Sequence, residues 1–294
     1  MVNVAVAGGT SPTLGQSIIQ AILATGKHKV LILSRRESSP GPTNVHTPPP
    51  SKYGASIEHV DYTSAKRLTT TLADHSIDTL VSVLKILDLK ENISYHTNLL
   101  QACQAAGLRR YILSDWSMAA PAHSRVDLLA HKAELHALGQ EHMKSAGEKG
   151  EHVVECCTIQ NGGSLEYFAQ GSRDQTLRAG LEDDLMLEYM DIAAKRLVIP
   201  CRSKEPPVPA RVTMTSLRDI GRFVAASLDL RRGEMTGQMG IAGATCSFDS
   251  VVTTVFAFPA IADMALEYTT AEECRGVAAE KNQALHGTQR GVRR

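Results

Sequence analysis

The chain has 294 residues, with 31 lysines and arginines against 31 aspartates and glutamates, so it is formally neutral. Neutrality argues against nucleic acid as the main partner, because phosphate binding leaves a basic surface patch, and no apolar run approaches the roughly 20 residues of a membrane span. Hydrophobic residues make up 43% of the chain, enough to bury a substantial core in one large domain or two small ones.

Val2 to Ala7 already reads as a strand, which leaves no room for a charged-then-apolar leader, and a cytoplasmic protein is expected. The six cysteines (103, 156, 157, 201, 246 and 274) form no C-x-x-C pair and read as buried, reduced thiols. Apolar runs at 2–8, 29–34, 57–62, 79–84, 110–115 and 153–159 predict strands. Residues 17–26 carry apolar side chains at helical spacing and end on Gly26, and a second helix is expected over about 91–106. Apolar strands separated by helices imply a parallel sheet covered on both faces. The Pro- and Ser-rich stretch 37–53 predicts a long surface loop after the second strand. From 164 to 196 the pattern is mostly helical and polar. A strand over 196–202 follows, then an amphipathic helix over 217–228, with Ile220, Phe223, Val224 and Leu228 on one side. The last forty residues suggest helices and a short strand, with a disordered basic tail over 286–294. No internal repeat is present.

The first strand runs into Gly8-Gly9-Thr10-Ser11-Pro12-Thr13-Leu14-Gly15, and a helix begins at once. A dinucleotide fold needs such a turn: Gly8 turns the chain tightly, small residues let backbone N–H groups approach a pyrophosphate, and Gly15 lets helix and strand pack closely. The helix N-terminus adds partial positive charge. Gly8, Thr10, Thr13, Leu14 and Gly15 are therefore candidate cofactor contacts. The spacing departs from G-x-x-G-x-x-G, since Ser11 and Pro12 stand where a middle glycine would be. At the end of the second strand, Ser34-Arg35-Arg36 offers no acid to a ribose 2′-hydroxyl. An arginine there accommodates a 2′-phosphate, so the expected cofactor is NADP(H), although adjacent arginines also fit solvated loop charges. Asp61 and Tyr62 end the third strand and are placed to flank the adenine, and Lys85, after the fourth, to pass the nicotinamide ribose.

Together the segments AVAGGTSPTLGQSI (5–18), ILSRR (32–36), HVDYTS (59–64), RYILSDW (110–116), HKAELHALG (131–139) and TIQNGGSLEYF (158–168) resemble the NmrA-like and isoflavone-reductase-like branch of the atypical short-chain dehydrogenases/reductases. The resemblance spans roughly the first 230 residues. It implies an α/β protein: a Rossmann-type doubly wound parallel sheet, with a small C-terminal substrate-binding lobe and a pocket between them. A nucleotide-binding core over 1–155 is expected, with a lobe over 156–294 interleaved with late Rossmann elements. Reductases of this family carry a lysine in a motif similar to HKAEL, which Lys132 matches. Its implied role is to bind the nicotinamide ribose or to deliver a proton to a substrate oxygen, so it is both a cofactor and a catalytic candidate. Taken alone, Lys132 reads rather as an exposed helix lysine paired with Glu134 or Glu141. The Tyr-x-x-x-Lys pair of classical short-chain dehydrogenases is missing, because Leu128 stands four residues before Lys132.

Asp115, after the fifth strand, is the second catalytic candidate, placed to position a substrate hydroxyl. Trp116 reads equally as an aromatic wall of the pocket or as core. Asn161, Tyr167 and Phe168 fall in the segment that resembles the family's substrate loop. The 11 histidines are scattered, and His131, His136 and His142 do not share a helical face, so no metal site is expected. No G-x-S-x-G elbow supports a hydrolase. Three functions remain. The first is an NADPH-dependent reductase of a small, largely apolar secondary metabolite, aromatic or alkaloid-like. The second is a redox-neutral isomerase using bound NADP(H). The third is a non-catalytic NADP(H) sensor that regulates a partner protein.

Overall fold

A computed structural model describes residues 1–35, 54–86, 88–125, 129–169, 190–191, 195–235, 237–257 and 263–276. Arg36, the 37–53 stretch, Leu128, most of 164–196 and the 286–294 tail lie outside the described residues. The first half alternates strand and helix. Its elements are β1 (Asn3–Ala7), α1 (Leu14–Ala24), β2 (Lys29–Arg35), β3 (Ser56–Val60), α2 (Ala65–Asp74), β4 (Thr79–Ser82), α3 (Leu89–Ala106), β5 (Arg110–Ser117), α4 (Ala130–Glu148) and β6 (Glu155–Gln160). With β12 (Gly237–Gly240) these strands form a seven-stranded sheet in the order β12-β6-β5-β4-β1-β2-β3, every neighbouring pair parallel. This is the doubly wound arrangement, with the order reversing between β1 and β4.

Alternation along the strands builds the two cores. Val4, Val6, Val30 and Ile32 face α1 and α5 (Leu217–Ser227), meeting Ile18, Ile22, Val224 and Leu228. Ala5, Ala7, Leu31 and Leu33 face α2, α3 and α4, meeting Leu68, Leu72, Leu99 and Leu135. The backbones of α1 and α5 approach so closely that a Cβ on Gly221 would overlap the Ser17 carbonyl.

Several elements differ from their expected limits, for local reasons. Strand β3 stops at Val60 because Asp61 turns the chain, its Oδ1 accepting from Thr63 N at 2.9 Å and Thr63 Oγ1 at 2.6 Å. Ser64 then caps α2, a helix that three consecutive threonines hid from the sequence reading. Strand β5 continues to Ser117, past the expected end at 115, with its pairing to β6 irregular between Leu113 and Ser117. Helix α1 begins three residues before its expected start.

After β6 the chain leaves the main sheet, makes β7 (Gly163–Ser164) and a 3₁₀ turn (Leu165–Ala169), and builds two small sheets before and after β12 returns. One sheet pairs β9 (Arg196–Lys204) with β8 (Met190–Asp191), β10 (Pro207–Pro209) and β14 (Ala265–Thr270). The other has β11 (Arg211–Thr215) between β7 and β13 (Ala244–Ser247). Leu197, Ile199, Met264 and Phe248, the last opening α6 (Phe248–Phe256), form the lobe's own core.

All six cysteines are unbridged. Four are buried as expected, whereas Cys246 is half-buried and Cys274 exposed. Among the described residues, no helix is long and apolar enough to cross a membrane, and no group of three His, Cys, Asp or Glu residues is placed to hold a metal ion.

Candidate functional site

The features expected to carry chemistry gather at the carboxyl edge of the main sheet, where ligands of open α/β sheets bind. At its centre is the glycine turn. Gly8 has φ +78°, a conformation costly for any residue with a Cβ, and its N–H bonds the Leu33 carbonyl at 3.0 Å. Gly9 and Gly15 touch: a Cβ on Gly15 would lie 3.0 Å from the Gly9 oxygen, and one on Gly9 2.9 Å from Ile19 Cδ1. Gly9, passed over in the sequence, therefore matters as much to the cradle as its neighbours do. Ser11 and Thr13 hydroxyls bond each other at 2.8 Å, Thr10 is half-buried, and Leu14 packs on the α1 side of the sheet. Thr13 makes no side-chain cap to α1, which leaves that helix end open to an anion.

Beside the turn, a cleft of about 700 Å³ is lined by Arg35, His59, Val60, Asp61, Tyr62, Arg67, Thr71 and Tyr95. Two guanidinium groups from different elements thus face one space. Arg67, in the first turn of α2, could not be paired with Arg35 before the sheet and helix were assembled. Ser34 is half-buried in β2 opposite His59. Tyr62 is buried, its hydroxyl donating to the Leu33 carbonyl at 2.9 Å and its ring stacked on Tyr95 at 5.7 Å, so it buttresses the glycine turn from behind. Burial pushes its phenol well up. Asp61 is exposed, with its carboxyl held below the usual range by the Thr63 bonds. Lys85 is exposed beyond β4.

Towards β5 and β6 the edge becomes buried and polar. Lys132, from the first turn of α4, donates from Nζ to the Ser114 carbonyl at 2.7 Å. Burial pulls its ammonium down to about 8, partly opposed by the charge of Asp115. It is therefore neither exposed nor held by Glu134 or Glu141. Asp115 is 1% exposed. Its Oδ1 accepts from Ser117 Oγ and lies 3.4 Å from His123 Nε2, which is itself 3.0 Å from Ser117 Oγ. Burial raises the Asp115 carboxyl, against Ser117, His123, Lys132 and Gln160, which favour its charged form. His123 was missed: it lies in a 3₁₀ turn (Ala120–Arg125) with no periodic pattern to mark it.

Trp116 adopts φ +48°, an unusual conformation for a large side chain, at the irregular end of β5. Its indole donates to the Ser82 carbonyl at 2.8 Å, and Ser114 Oγ to the Leu84 carbonyl at 3.0 Å, tying the ends of β4 and β5 together. Its ring packs on the α1 side of the core. Asn161 is buried, its carbonyl accepting from Thr215 Oγ1 at 2.7 Å. A largely apolar cavity of about 600 Å³ opens between the strand ends and the lobe, its wall including Met118, Tyr167, Val212, Met214, Ile241 and Phe248. Burial there raises the Tyr167 phenol. Of Phe168 only the backbone is described.

The edge thus offers an anion cradle, an arginine-lined cleft, a buried ammonium beside a carboxyl, and an apolar chamber. A group that needs a pyrophosphate site and a second phosphate site fits the first two. Known proteins agree in architecture. The chain is 30% identical over 242 residues, 80% of its length, to Oxidoreductase BOA1 of Botryotinia fuckeliana (strain B05.10), spanning 69% of that protein. Its fold is similar to the crystal structures of pinoresinol-lariciresinol and phenylcoumaran benzylic ether reductases, with TM-score 0.68 and 17% identity over 96% of this chain and 82% of that one. It is similar also to leucoanthocyanidin reductase of Vitis vinifera in its binary complex with NADPH, with TM-score 0.64 and 17% identity over 95% and 82% of the two chains. The family model described as the NmrA-like family matches residues 2–273, and the chain belongs to that family.

Proposed function

We propose that the protein is an NADP(H)-dependent oxidoreductase acting on a small, largely apolar molecule. One observation carries this reading: the anion cradle, the two-arginine cleft, the Lys132–Asp115 pair and the apolar cavity share one edge of one sheet. The oxidoreductase name of the 30% identical fungal relative and the NADPH held by the grape reductase support it. In this division of labour the core over 1–155 holds the nucleotide, and later segments shape the substrate chamber.

NADP(H), when bound, supplies or accepts the hydride. Gly9 and Gly15 let the turn pack closely on β1 and on the start of α1, whose amides would hold the pyrophosphate. Arg35 and Arg67 line one cleft and would pair the 2′-phosphate there, with His59 beside them. Tyr95 and Asp61 border the same cleft, where the adenine would lie. Lys132 holds a proton at Nζ that it can release near neutral pH, because burial has brought its pKa to about 8. Asp115 restrains that release by its negative charge and, through Ser117 and His123, is fixed in place. Apolar side chains around the cavity keep water from the reacting atoms.

Titration of the protein with NADPH and NADH tests the cofactor, and substrate-dependent NADPH oxidation tests the chemistry. Wild type should prefer NADPH by tenfold or more, about 1.4 kcal/mol, and Arg35→Ala or Arg67→Ala should each erode that preference several-fold. Equal affinity for the two nucleotides would remove the 2′-phosphate assignment. NADPH consumption across a panel of aromatic ketones and enones, greatly reduced in Lys132→Ala, is the expected second result. Substrate conversion without net NADPH loss would point instead to redox-neutral catalysis, and binding without any turnover to a sensor.

A further inference from the structure

Strand β5 is longer than its place in the sheet. Leu113 is paired with Thr158 and Ser117 with Gln160, so β5 takes four residues over a step that β6 covers in two. The surplus bulges out between them as Ser114, Asp115 and Trp116, and Trp116 takes φ +48°. A bulge re-aims the side chains it carries, and a large residue at positive φ persists only where its surroundings fix it. This bulge carries Asp115, and the chain runs on from it through Ser117 to Met118 on the wall of the apolar cavity.

One imidazole braces it. His123 is 1% exposed, and its Nε2 lies 3.0 Å from Ser117 Oγ, 3.0 Å from the Met118 carbonyl oxygen and 3.4 Å from Asp115 Oδ1. All three oxygens can only accept there. A carbonyl and a carboxylate have no proton to give, and Ser117 gives its single hydroxyl proton to Asp115. Nε2 therefore carries the hydrogen, and the lone pair of the neutral ring sits on Nδ1, which is buried without a partner. From other elements the Asp115 carboxyl is faced by Lys132 and His136 of α4 and by Gln160 of β6. His123 thus grips the bulge at a buried carboxyl, at a hydroxyl and at the backbone of a residue on the chamber wall.

Resting on the reading of Lys132 and Asp115 as the proton site, we infer that His123 is a positioning residue whose Nε2–H braces the β5 bulge, holding the Asp115 carboxylate beside Lys132 and Met118 on the chamber wall. Proton site and chamber are then kept in one fixed relation by a single N–H. Without it the carboxyl loses a donor that favours its charged form, and the Met118 carbonyl loses a partner. An apolar side chain of similar size fills the space but restores neither.

NMR of the full chain, labelled at the aspartate carboxyl carbons and the histidine ring nitrogens, tests this. The signals lost in Asp115→Asn and in His123→Gln assign the two residues. The neutral His123 ring should show the Nε2–H tautomer. In His123→Leu the Asp115 carboxyl should titrate about one unit higher than in wild type. His123→Gln, whose Nε2 can donate from nearly the same place, should restore most of that shift, and the shorter His123→Asn should not. A purely structural role predicts the same Asp115 titration in every folded variant. That result, or an Nδ1–H tautomer in wild type, would overturn the inference. If His123→Leu does not fold, the wild-type tautomer and the contrast between His123→Gln and His123→Asn decide. NADPH titration and NADPH oxidation by the same samples report separately on the cofactor and on Lys132 as the acid.

Discussion

At Lys132 the cost of burial and the capacity for chemistry are the same physical fact. Its pKa falls from 10.5 in the open chain to about 8 in the folded protein. Below pH 8 both states hold the proton, and the folded state bears the full penalty of burying an ammonium. Between about 8 and 10.5 the unfolded chain binds more protons than the folded one, so stability rises with pH across that window. Urea unfolding of wild type and Lys132→Met at about pH 7.5 and 9.5 should show the difference moving towards wild type by roughly 1–2 kcal/mol. An unchanged difference would mean that the ammonium is solvated and its pKa ordinary. For turnover the sign is opposite, since a proton donor is lost above its pKa. The kcat of a reductive reaction should fall as pH rises through about 8, with the fall absent from the residual activity of Lys132→Met.

Elements are joined here by a few contacts that tolerate little change. Helices α1 and α5 cover the same sheet face and meet where Gly221 lies against the Ser17 carbonyl, so Gly221→Ala must push two helices apart. A loss of about 1–3 kcal/mol is expected by chemical denaturation, and a neutral result would show that α5 shifts freely. At the opposite edge of the sheet from the site, Arg110 is fully buried against Glu155 at 3.1 Å and donates to the Ser227 carbonyl at 2.9 Å. Glu155 also accepts from Gly233 N, and Arg109, paired with Asp78 at 2.9 Å, donates to the Leu230 carbonyl at 2.7 Å. These two arginines tie the end of α5 to the start of β5. Arg110→Met should cost about 3–5 kcal/mol by leaving a buried carboxylate unpaired, whereas Arg110→Met with Glu155→Leu should recover much of that loss. Equal losses in the single and double variants would mean that the carbonyl contacts, not the charge pair, matter.

In the molecule as a whole, the site joins the sheet to segments that follow it in the chain. The cavity takes Met118 from just after β5, Gln160 from the end of β6, Val212 and Met214 from β11, and Phe248 from α6. A ligand that fills the cradle and the cleft holds the folded state by mass action. At one hundred times its dissociation constant, NADPH should add about 2.7 kcal/mol of stability and raise the melting temperature, with NADH at the same concentration adding far less. Calorimetry with each nucleotide checks this. Equal shifts would mean that Arg35 and Arg67 do not read the 2′-phosphate.

The sequence by itself determined the parallel sheet, the glycine turn and the arginine at the end of β2. Each is written in neighbouring residues: apolar runs of strand length, glycines between a strand and a helix, a basic pair after the second strand. HKAEL singled out Lys132 only through resemblance, for a lysine on a polar helix carries no mark of burial. Helix α2 was missed because its threonines mask the Leu68 and Leu72 spacing and the Ser64 cap. What only the tertiary structure decided are relations between distant segments. Arg67 faces the same cleft as Arg35 because parallel pairing of β2 with β3 brings the start of α2 beside the end of β2. His123 reaches Asp115 because β5 bends irregularly at its end. The end of β6 borders the cavity because the chain returns as β11 and β12 to close a chamber around it. Periodicity records which face of an element is buried, and is silent on which polar groups from separate elements will share that burial.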